Sequence, residues 1–231
     1  ALPIYEMQIL EQPYPALVDG EVVLKIESVG ICGSDMHAFH GHDPRRKPGL
    51  VLGHEFAGTI AEASTPLFSA GQRVTGNPLI TCGHCEYCLQ GRNNLCANRT
   101  MVGMTRPGAF AEYMSIPASS LIAVPDNLSV DGAALTEPAA TAVHAINLSM
   151  RALQRPIQEC RVLILGGGAI GIAELPLRRL GLVLALRDHV EDQPVEEIAL
   201  VLVLDPQRLA DKAVRAVGSG NKACPKLAGF A

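Results

Sequence analysis

Four cysteines lie in one short segment, and they constrain the fold of this chain more than any other feature. Residues 81–96 read TCGHCEYCLQGRNNLC, and the spacing is C-x2-C-x2-C-x7-C for Cys82, Cys85, Cys88 and Cys96. Cysteines so close in sequence are poorly spaced for disulfides, whereas four thiolates can close a tetrahedron around one zinc ion. A closed shell leaves no position for substrate, so we predict a structural zinc site. An iron–sulfur cluster and four unrelated buried thiols are the alternatives.

Two further segments contain a second set of potential metal ligands. The strand-like run EVVLKIES, residues 21–28, ends just before Cys32, and LGHEFAGTI, residues 52–60, carries His54 and Glu55 where another strand should begin. A thiolate, an imidazole and a carboxylate that leave a fourth position open form the pattern of a catalytic zinc site. Taken singly, each residue has an ordinary structural explanation, so the prediction depends on their combination.

A glycine-rich segment indicates a nucleotide-binding turn. In RVLILGGGAIG, residues 161–171, a short apolar run precedes a G-x-G-x-x-G pattern formed by Gly166, Gly168 and Gly171. Such glycines allow a pyrophosphate to approach a helix N-terminus. Asp188 follows the next strand candidate and would bind the ribose of NAD, although the adjacent Arg187 would suit NADP. A glycine-rich turn without a ligand is the alternative.

Composition excludes several classes of protein. The 231 residues carry a net charge of −4, with 48% hydrophobic and 18% charged residues, as in a globular protein. This charge gives no basic surface for nucleic acid, and we expect no membrane span because no apolar run is long enough. The first ten residues do not resemble a signal peptide. We therefore expect reduced thiols and a cytoplasmic location.

Taken together, these motifs resemble the zinc-dependent medium-chain dehydrogenases, and they look closest to the branch that includes sorbitol and threonine dehydrogenases. The resemblance extends from about residue 5 to residue 171 and rests on the two cysteine-containing segments, LGHEFAGTI, GAFAEYMSIP, TEPAATAVHA and GGGAIG. It implies an α/β protein with two domains. Residues 1–150 would form a GroES-like, partly open β-barrel with the catalytic site, and residues 151–231 a Rossmann-type, doubly wound parallel sheet.

The resemblance also implies roles for individual residues. Cys32 and His54 would bind a catalytic zinc ion, and either Glu55 or Glu137 would be the third protein ligand. The polyol branch commonly uses the glutamate that follows the histidine.

Three residues near Cys32 have implied roles around the substrate. Ser34 would contact the alcohol oxygen and begin a proton relay, with His37 as the outer base. Asp35 would orient the histidine ligand. His40 and His42 are expected to be ordinary loop histidines.

The implied reaction transfers a hydride from a secondary alcohol or polyol to NAD, or to NADP, and gives a ketone or aldehyde. Family members are usually dimers or tetramers, so a homodimer or homotetramer is expected. Two other functions remain open: a catalytically inactive, zinc-stabilised nucleotide-binding module on the same scaffold, and a zinc hydrolase that activates water.

The last third of the chain fits the resemblance poorly. Only three strand candidates follow residue 160, at residues 161–165, 182–187 and 198–204, whereas the full fold has six parallel strands. Pro176 lies where the first helix of this domain should continue. We expect an incomplete second domain. Segments that are missing from this sequence explain this better than a deletion in the protein or a degenerate second domain. Before it, residues 126–150 should be helical, capped by Asp126 or Ser129 and divided at Pro138.

Overall fold

The structure is a computed structural model that describes residues 7–152, together with residues 161–165, 170, 182–185 and 200–204. The strands are β1 (Glu21–Gly30), β2 (Glu55–Ala63), β3 (Arg73–Gly76), β4 (Leu79–Ile80), β5 (Thr100–Met101), β6 (Tyr113–Pro117), β7 (Leu121–Ala123), β8 (Arg161–Leu165), β9 (Leu182–Ala185) and β10 (Leu200–Leu204). The α-helices are α1 (Gly33–Phe39), α2 (Glu86–Leu89), α3 (Val130–Ala134) and α4 (Thr136–Ala152). Two short 3₁₀ turns span Asn93–Leu95 and Ala118–Ser120.

A five-stranded antiparallel sheet forms the centre of the described region. Its order is β6-β1-β2-β3-β7, and its two edge strands do not pair with each other, as expected for a partly open barrel. The strand predicted at residues 21–28 is confirmed as part of β1. Val22 and Leu24 enter the main core with Phe56, and Ile26 packs against it, while Val23 on the other face is also buried. Successive side chains of a strand point to opposite faces, so one face of β1 supplies the core.

The other face of the sheet is covered by the short helix α3. Ala133 and Ala134 of α3 pack with Ala57 of β2, and these small side chains allow helix and sheet to approach closely. Ser129 caps α3, since its Oγ accepts a hydrogen bond of 3.1 Å from the backbone N–H of Gly132. Helix α3 therefore begins at the second of the two predicted caps.

The helical region is divided in two, but not where the sequence analysis placed the break. The interruption lies at Leu135, and Pro138 sits in the first turn of α4. That prediction was wrong because the first backbone N–H groups of a helix have no intrahelical acceptor. A proline there loses no hydrogen bond.

The three strands predicted after residue 160 are present and form a sheet of order β10-β8-β9. β8 and β9 run parallel, as a Rossmann-type domain requires. β10 pairs antiparallel with β8, so this strand departs from the expected parallel arrangement. β10 begins beside the carboxyl end of β8, the end at which β9 also ends, although it lies on the other side of β8 from β9. An antiparallel strand can start at that end, whereas a parallel strand requires the chain to return first to the opposite end.

None of the helices in the described part of the chain has both the length and the apolar character needed to cross a membrane.

Candidate metal centres

Cys32, His54 and Glu55 come together where β1 ends and β2 begins. Gly30, the last residue of β1, is paired with Glu55, the first residue of β2. Cys32 follows β1 as the N-cap of α1, and His54 immediately precedes β2. One ligand atom from each of the three side chains lies within 4.8 Å of the other two. Antiparallel pairing of the two strands thus joins residues that are more than twenty positions apart in the sequence.

The segment before His54 is held by backbone contacts that require glycine. Gly53 has φ of +91°, and a Cβ there would lie 2.6 Å from the ring of Phe110. The segment is fixed by hydrogen bonds from Gly108 N–H to Val51 O (2.8 Å), Phe110 N–H to Leu52 O (2.9 Å) and Ala109 N–H to Gly53 O (2.9 Å). These bonds explain the GAFAEYM motif, which positions the backbone beside His54.

The environment of His54 is buried and negatively charged. His54 is 2% exposed and Asp35 is 1% exposed, and His54 Nδ1 lies 3.5 Å from Asp35 Oδ1. Burial favours neutral imidazole, but interactions with Asp35 and Cys32 outweigh it and raise the pKa of His54 to about 10. Neither His54 Nδ1 nor Asp35 Oδ1 has a well-formed hydrogen bond. The site therefore stabilises positive charge between its acidic groups.

The two candidate glutamates differ in their relation to this cluster. Glu55 is buried and belongs to the group of three potential ligands, whereas Glu137 does not. Glu137 is half-buried on α4, and its pKa is raised mainly by burial. The negative charges of Glu55 and Asp35 also raise it, while His54 acts in the opposite direction. Glu137 thus lies close enough to interact electrostatically with the cluster.

Ser34 and His37 lie beside the cluster on α1. Ser34 Oγ is 3.4 Å from His54 Nε2, and His37 follows Ser34 by three residues, which places both on one side of the helix. The two side chains line an open pocket of about 350 Å³ together with His42, Asp43, Pro44 and Arg45. Ser34, which lines this pocket and lies 3.4 Å from His54, therefore joins the pocket to the group of potential ligands.

Arg46 is a buried cation that bonds two residues of this pocket, Ser34 and Asp43, and the sequence pattern did not indicate it. Its side chain is 1% exposed. It donates to Ser34 O (2.9 Å), Ser34 Oγ (3.1 Å), Asp43 Oδ2 (2.8 Å) and Gly103 O (3.0 Å). Nη2 also lies 3.7 Å from Asp35 Oδ1. In the sequence, Arg46 stands in the polar run HDPRRK, where a solvated surface is the ordinary expectation.

The other four cysteines form a separate cluster in the segment between β4 and β5. Sulfur–sulfur distances are 3.9 Å for Cys82–Cys88, 3.5 Å for Cys85–Cys88 and 3.6 Å for Cys82–Cys96. Four sulfurs at about 2.3 Å from one zinc ion would be about 3.8 Å apart, whereas a disulfide has a length of about 2 Å. The donor set therefore fits a tetrahedral metal ion.

Local backbone geometry supports this four-cysteine cluster. Gly83 and Gly91 have φ of +76° and +71°, a left-handed conformation that glycine adopts readily and that tight turns use. Backbone N–H groups of His84 and Cys85 point at the Cys82 sulfur and lower the pKa of that thiol to about 6. N–H groups that stabilise a thiolate also favour metal binding, because the thiolate is the ligand.

Comparisons with known proteins agree with this geometry. Residues 18–126 match the alcohol dehydrogenase GroES-like domain. L-threonine 3-dehydrogenase of Mesorhizobium japonicum is 39% identical over 167 residues, covering 70% of this chain and 47% of the relative. The enzyme of the same name from Pseudoalteromonas atlantica is 40% identical over 163 residues, which are 68% of this chain and 46% of that relative.

Solved structures show the same fold. Galactitol-1-phosphate dehydrogenase of Escherichia coli superposes with a TM-score of 0.69 at 28% identity, covering 78% of this chain and 51% of that one. Acetophenone reductase of Geotrichum candidum, in complex with NAD, has a TM-score of 0.68 at 31% identity. The match covers 78% of this chain and 53% of the reductase chain. The chain belongs to the zinc-dependent medium-chain dehydrogenase family. It spans about half the length of the curated relatives that it matches.

The candidate nucleotide-binding residues are not placed in the same way. Gly166, Gly168, Gly171 and Asp188 lie outside the described residues. The strand that precedes the glycines, β8, is present as predicted. Their assignment therefore rests on the sequence pattern.

Proposed function

We propose that this chain carries the catalytic zinc site of an NAD(P)-dependent dehydrogenase that oxidises a secondary alcohol or polyol to a ketone or aldehyde. The observation that carries the proposal is the convergence of Cys32, His54 and Glu55 beside the hydroxyl of Ser34, a residue that also lines an open pocket. Three protein ligands beside a pocket leave room for a substrate oxygen.

Cys32, His54 and Glu55 are proposed to hold the catalytic zinc ion. His54 Nδ1 faces Asp35, so Nε2 is the nitrogen available for the metal, and Asp35 would fix the tautomer and the ring orientation. Glu55 is preferred to Glu137 because only Glu55 belongs to the compact group. Zinc bound here would act as a Lewis acid and lower the pKa of an alcohol. Cys82, Cys85, Cys88 and Cys96 would hold the second, structural zinc ion.

The proton of the alcohol would leave along α1. Ser34 Oγ lies 3.4 Å from Nε2 of His54, the nitrogen proposed for the metal, and can accept that proton while it passes its own proton onward. His37 lines the same pocket and would be the outer base that exchanges with solvent. Ser34 and His37 are thus proposed as the catalytic residues of the relay.

Relatives suggest the class of substrate and cofactor. Proteins similar to this chain are named for threonine, galactitol 1-phosphate and acetophenone, and three similar structures contain NAD, NADH and NADP respectively. We propose a small hydroxylated substrate and NAD, bound at Gly166, Gly168, Gly171 and Asp188, in a cytoplasmic homodimer or homotetramer. The domain boundary near residue 150 is part of the same proposal.

One observation favours an alternative function. β10 runs antiparallel to β8, unlike the all-parallel sheet that a complete Rossmann-type domain contains. A catalytically inactive, zinc-stabilised nucleotide-binding module is therefore the second candidate. It would bind zinc and a dinucleotide but would transfer no hydride.

A direct assay distinguishes the two candidates. The zinc-loaded protein is supplied with NAD or NADP and a panel of secondary alcohols and polyols, and formation of the reduced nicotinamide is followed by absorbance. Turnover is the result expected for a dehydrogenase. Tight dinucleotide binding without turnover of any alcohol would favour the inactive module and overturn the proposed activity.

A further inference from the structure

Two adjacent arginines near the pocket have very different environments. The Arg45 side chain is 65% exposed and is bonded to Asp43 (2.8 and 2.9 Å). The Arg46 side chain is 1% exposed, and two of its hydrogen bonds end on the same residue, at Ser34 O and Ser34 Oγ. A buried guanidinium with two bonds to one serine fixes both the backbone and the hydroxyl of that residue.

The bond from Arg46 restricts the hydrogen bonds that remain to Ser34. A serine hydroxyl has one proton to donate and two lone pairs, while arginine only donates. Nη2 of Arg46 occupies one lone pair at 3.1 Å. His54 Nε2 also lies 3.4 Å from Ser34 Oγ. When Nε2 binds zinc, as proposed, Ser34 Oγ keeps one acceptor position and one donor position. A group that relays a proton needs this combination, since it accepts from one neighbour and donates to another.

Asp43 and Gly103 hold the guanidinium in place. Asp43 Oδ2 accepts from Nη1 at 2.8 Å, and the carbonyl of Gly103 accepts from Nε at 3.0 Å. Asp43 is 8% exposed, so its charge compensates that of buried Arg46. Lysine could not reproduce this arrangement, because a single ammonium cannot bond Gly103, Asp43 and both oxygens of Ser34 in the planar geometry of a guanidinium.

We propose that Arg46 is a positioning residue for proton transfer, which orients the Ser34 hydroxyl so that it accepts from the alcohol and donates towards His37. This inference rests on the proposed dehydrogenase function. It assigns to Arg46 an effect on the rate of proton transfer through Ser34. Arg46 touches neither the substrate nor the proposed zinc ligands.

The test compares Arg46→Lys with Arg151→Lys, which makes the same exchange at an exposed position in the last turn of α4, outside the pocket. Both proteins are measured for zinc content, for the absorption spectrum after cobalt replaces zinc, and for kcat, KM and the solvent deuterium isotope effect on kcat. Arg46→Lys is expected to lower kcat about 10- to 100-fold with KM nearly unchanged, to increase the solvent isotope effect and to leave the cobalt spectrum intact. Arg151→Lys should resemble the wild type.

A second variant separates positioning from folding. Arg46→Ala removes the guanidinium, and added guanidinium ion is expected to restore part of kcat, while added methylammonium should restore none. If Arg46→Lys keeps the wild-type kcat and isotope effect, or if it loses activity only because the cobalt spectrum and zinc content change, the positioning role is overturned. A wild-type protein that oxidises no alcohol would overturn the proposed function itself, and this inference with it.

Discussion

Gly30 and Glu55 face each other across the first two strands, and a Cβ on Gly30 would overlap the carboxylate oxygen Oε2 of Glu55. The absence of a side chain at Gly30 therefore makes the space in which this carboxylate lies beside Cys32 and His54. Gly30 has no unusual φ, so the requirement for glycine here is steric.

Replacing Gly30 by alanine should displace Glu55 and weaken the catalytic metal site. We expect Gly30→Ala to reduce zinc affinity there about 10-fold or more, with the four-cysteine site unaffected. Zinc per chain, measured after dialysis against graded chelator concentrations, should fall from two towards one earlier than in the wild type. Gly132→Ala is the matched control, because its Cβ would meet mainly the flexible Leu128 side chain. Equal zinc retention by both variants would refute the role of Gly30.

Much of the candidate site could be predicted from the sequence because its ligands lie in short local motifs. The alternation of Val22 and Leu24 located β1, and Cys32 and His54 marked the strand ends that pairing then joined. The spacing of the four cysteines also located their cluster. In each case, the distance between functional atoms follows from secondary structure and chain connectivity.

Arg46 could not be predicted in this way, because its role depends on tertiary contacts. Its partners include Ser34, twelve residues away, and Gly103, which is 57 residues away in sequence. Nothing in the local pattern distinguishes Arg46 from exposed Arg45. The direction of β10 was missed for a similar reason, since an apolar run does not encode the direction in which a strand will pair.

The two metal sites should be separable by single cysteine substitutions. Cys32→Ser is expected to abolish turnover and remove one zinc ion per chain, while the four-cysteine ion stays. Cys96→Ser, at a buried sulfur, should remove the other ion and destabilise the segment around residues 81–99, because structural zinc contributes directly to folding. Zinc analysis, limited proteolysis and the alcohol assay test each variant. Turnover that survives Cys32→Ser would show that the catalytic site has been wrongly assigned.

Asp43 should make stability depend on pH in the acidic range. Hydrogen bonding from Arg45 lowers the pKa of Asp43 from 3.8 to about 2, with Arg46 contributing through its charge. The ionised form is favoured in the folded state, so this stabilisation is present above the unfolded pKa and is lost as the pH falls towards 2. Because water screens exposed Arg45, we expect about 1–2 kcal/mol.

Denaturant unfolding of the wild type and Asp43→Asn at several pH values measures this contribution. The difference in unfolding free energy between the two proteins should shrink as the pH is lowered from about 5 to about 2. The difference in unfolding free energy between wild type and Arg45→Met should also shrink as the pH falls, but from a smaller value, since the ion pair between Asp43 and Arg46 remains. A difference that does not change with pH would mean that Asp43 acts only through packing or neutral hydrogen bonds.

Gly53 provides the sharpest test of how the backbone positions His54. Its φ of +91° is strained for any residue with a side chain, and its Cβ would also lie 2.6 Å from the Phe110 ring and 2.9 Å from the Phe110 nitrogen. Gly71 has a similar φ of +84°, but nothing lies within 4 Å of its Cβ. Gly71→Ala therefore carries the backbone strain alone, about 1–3 kcal/mol. Gly53→Ala should lose more stability than this, lower kcat and release the catalytic zinc more readily, because the chain before His54 must move. If the two variants lose the same stability and both retain zinc, the close packing of Gly53 on Phe110 does not position His54.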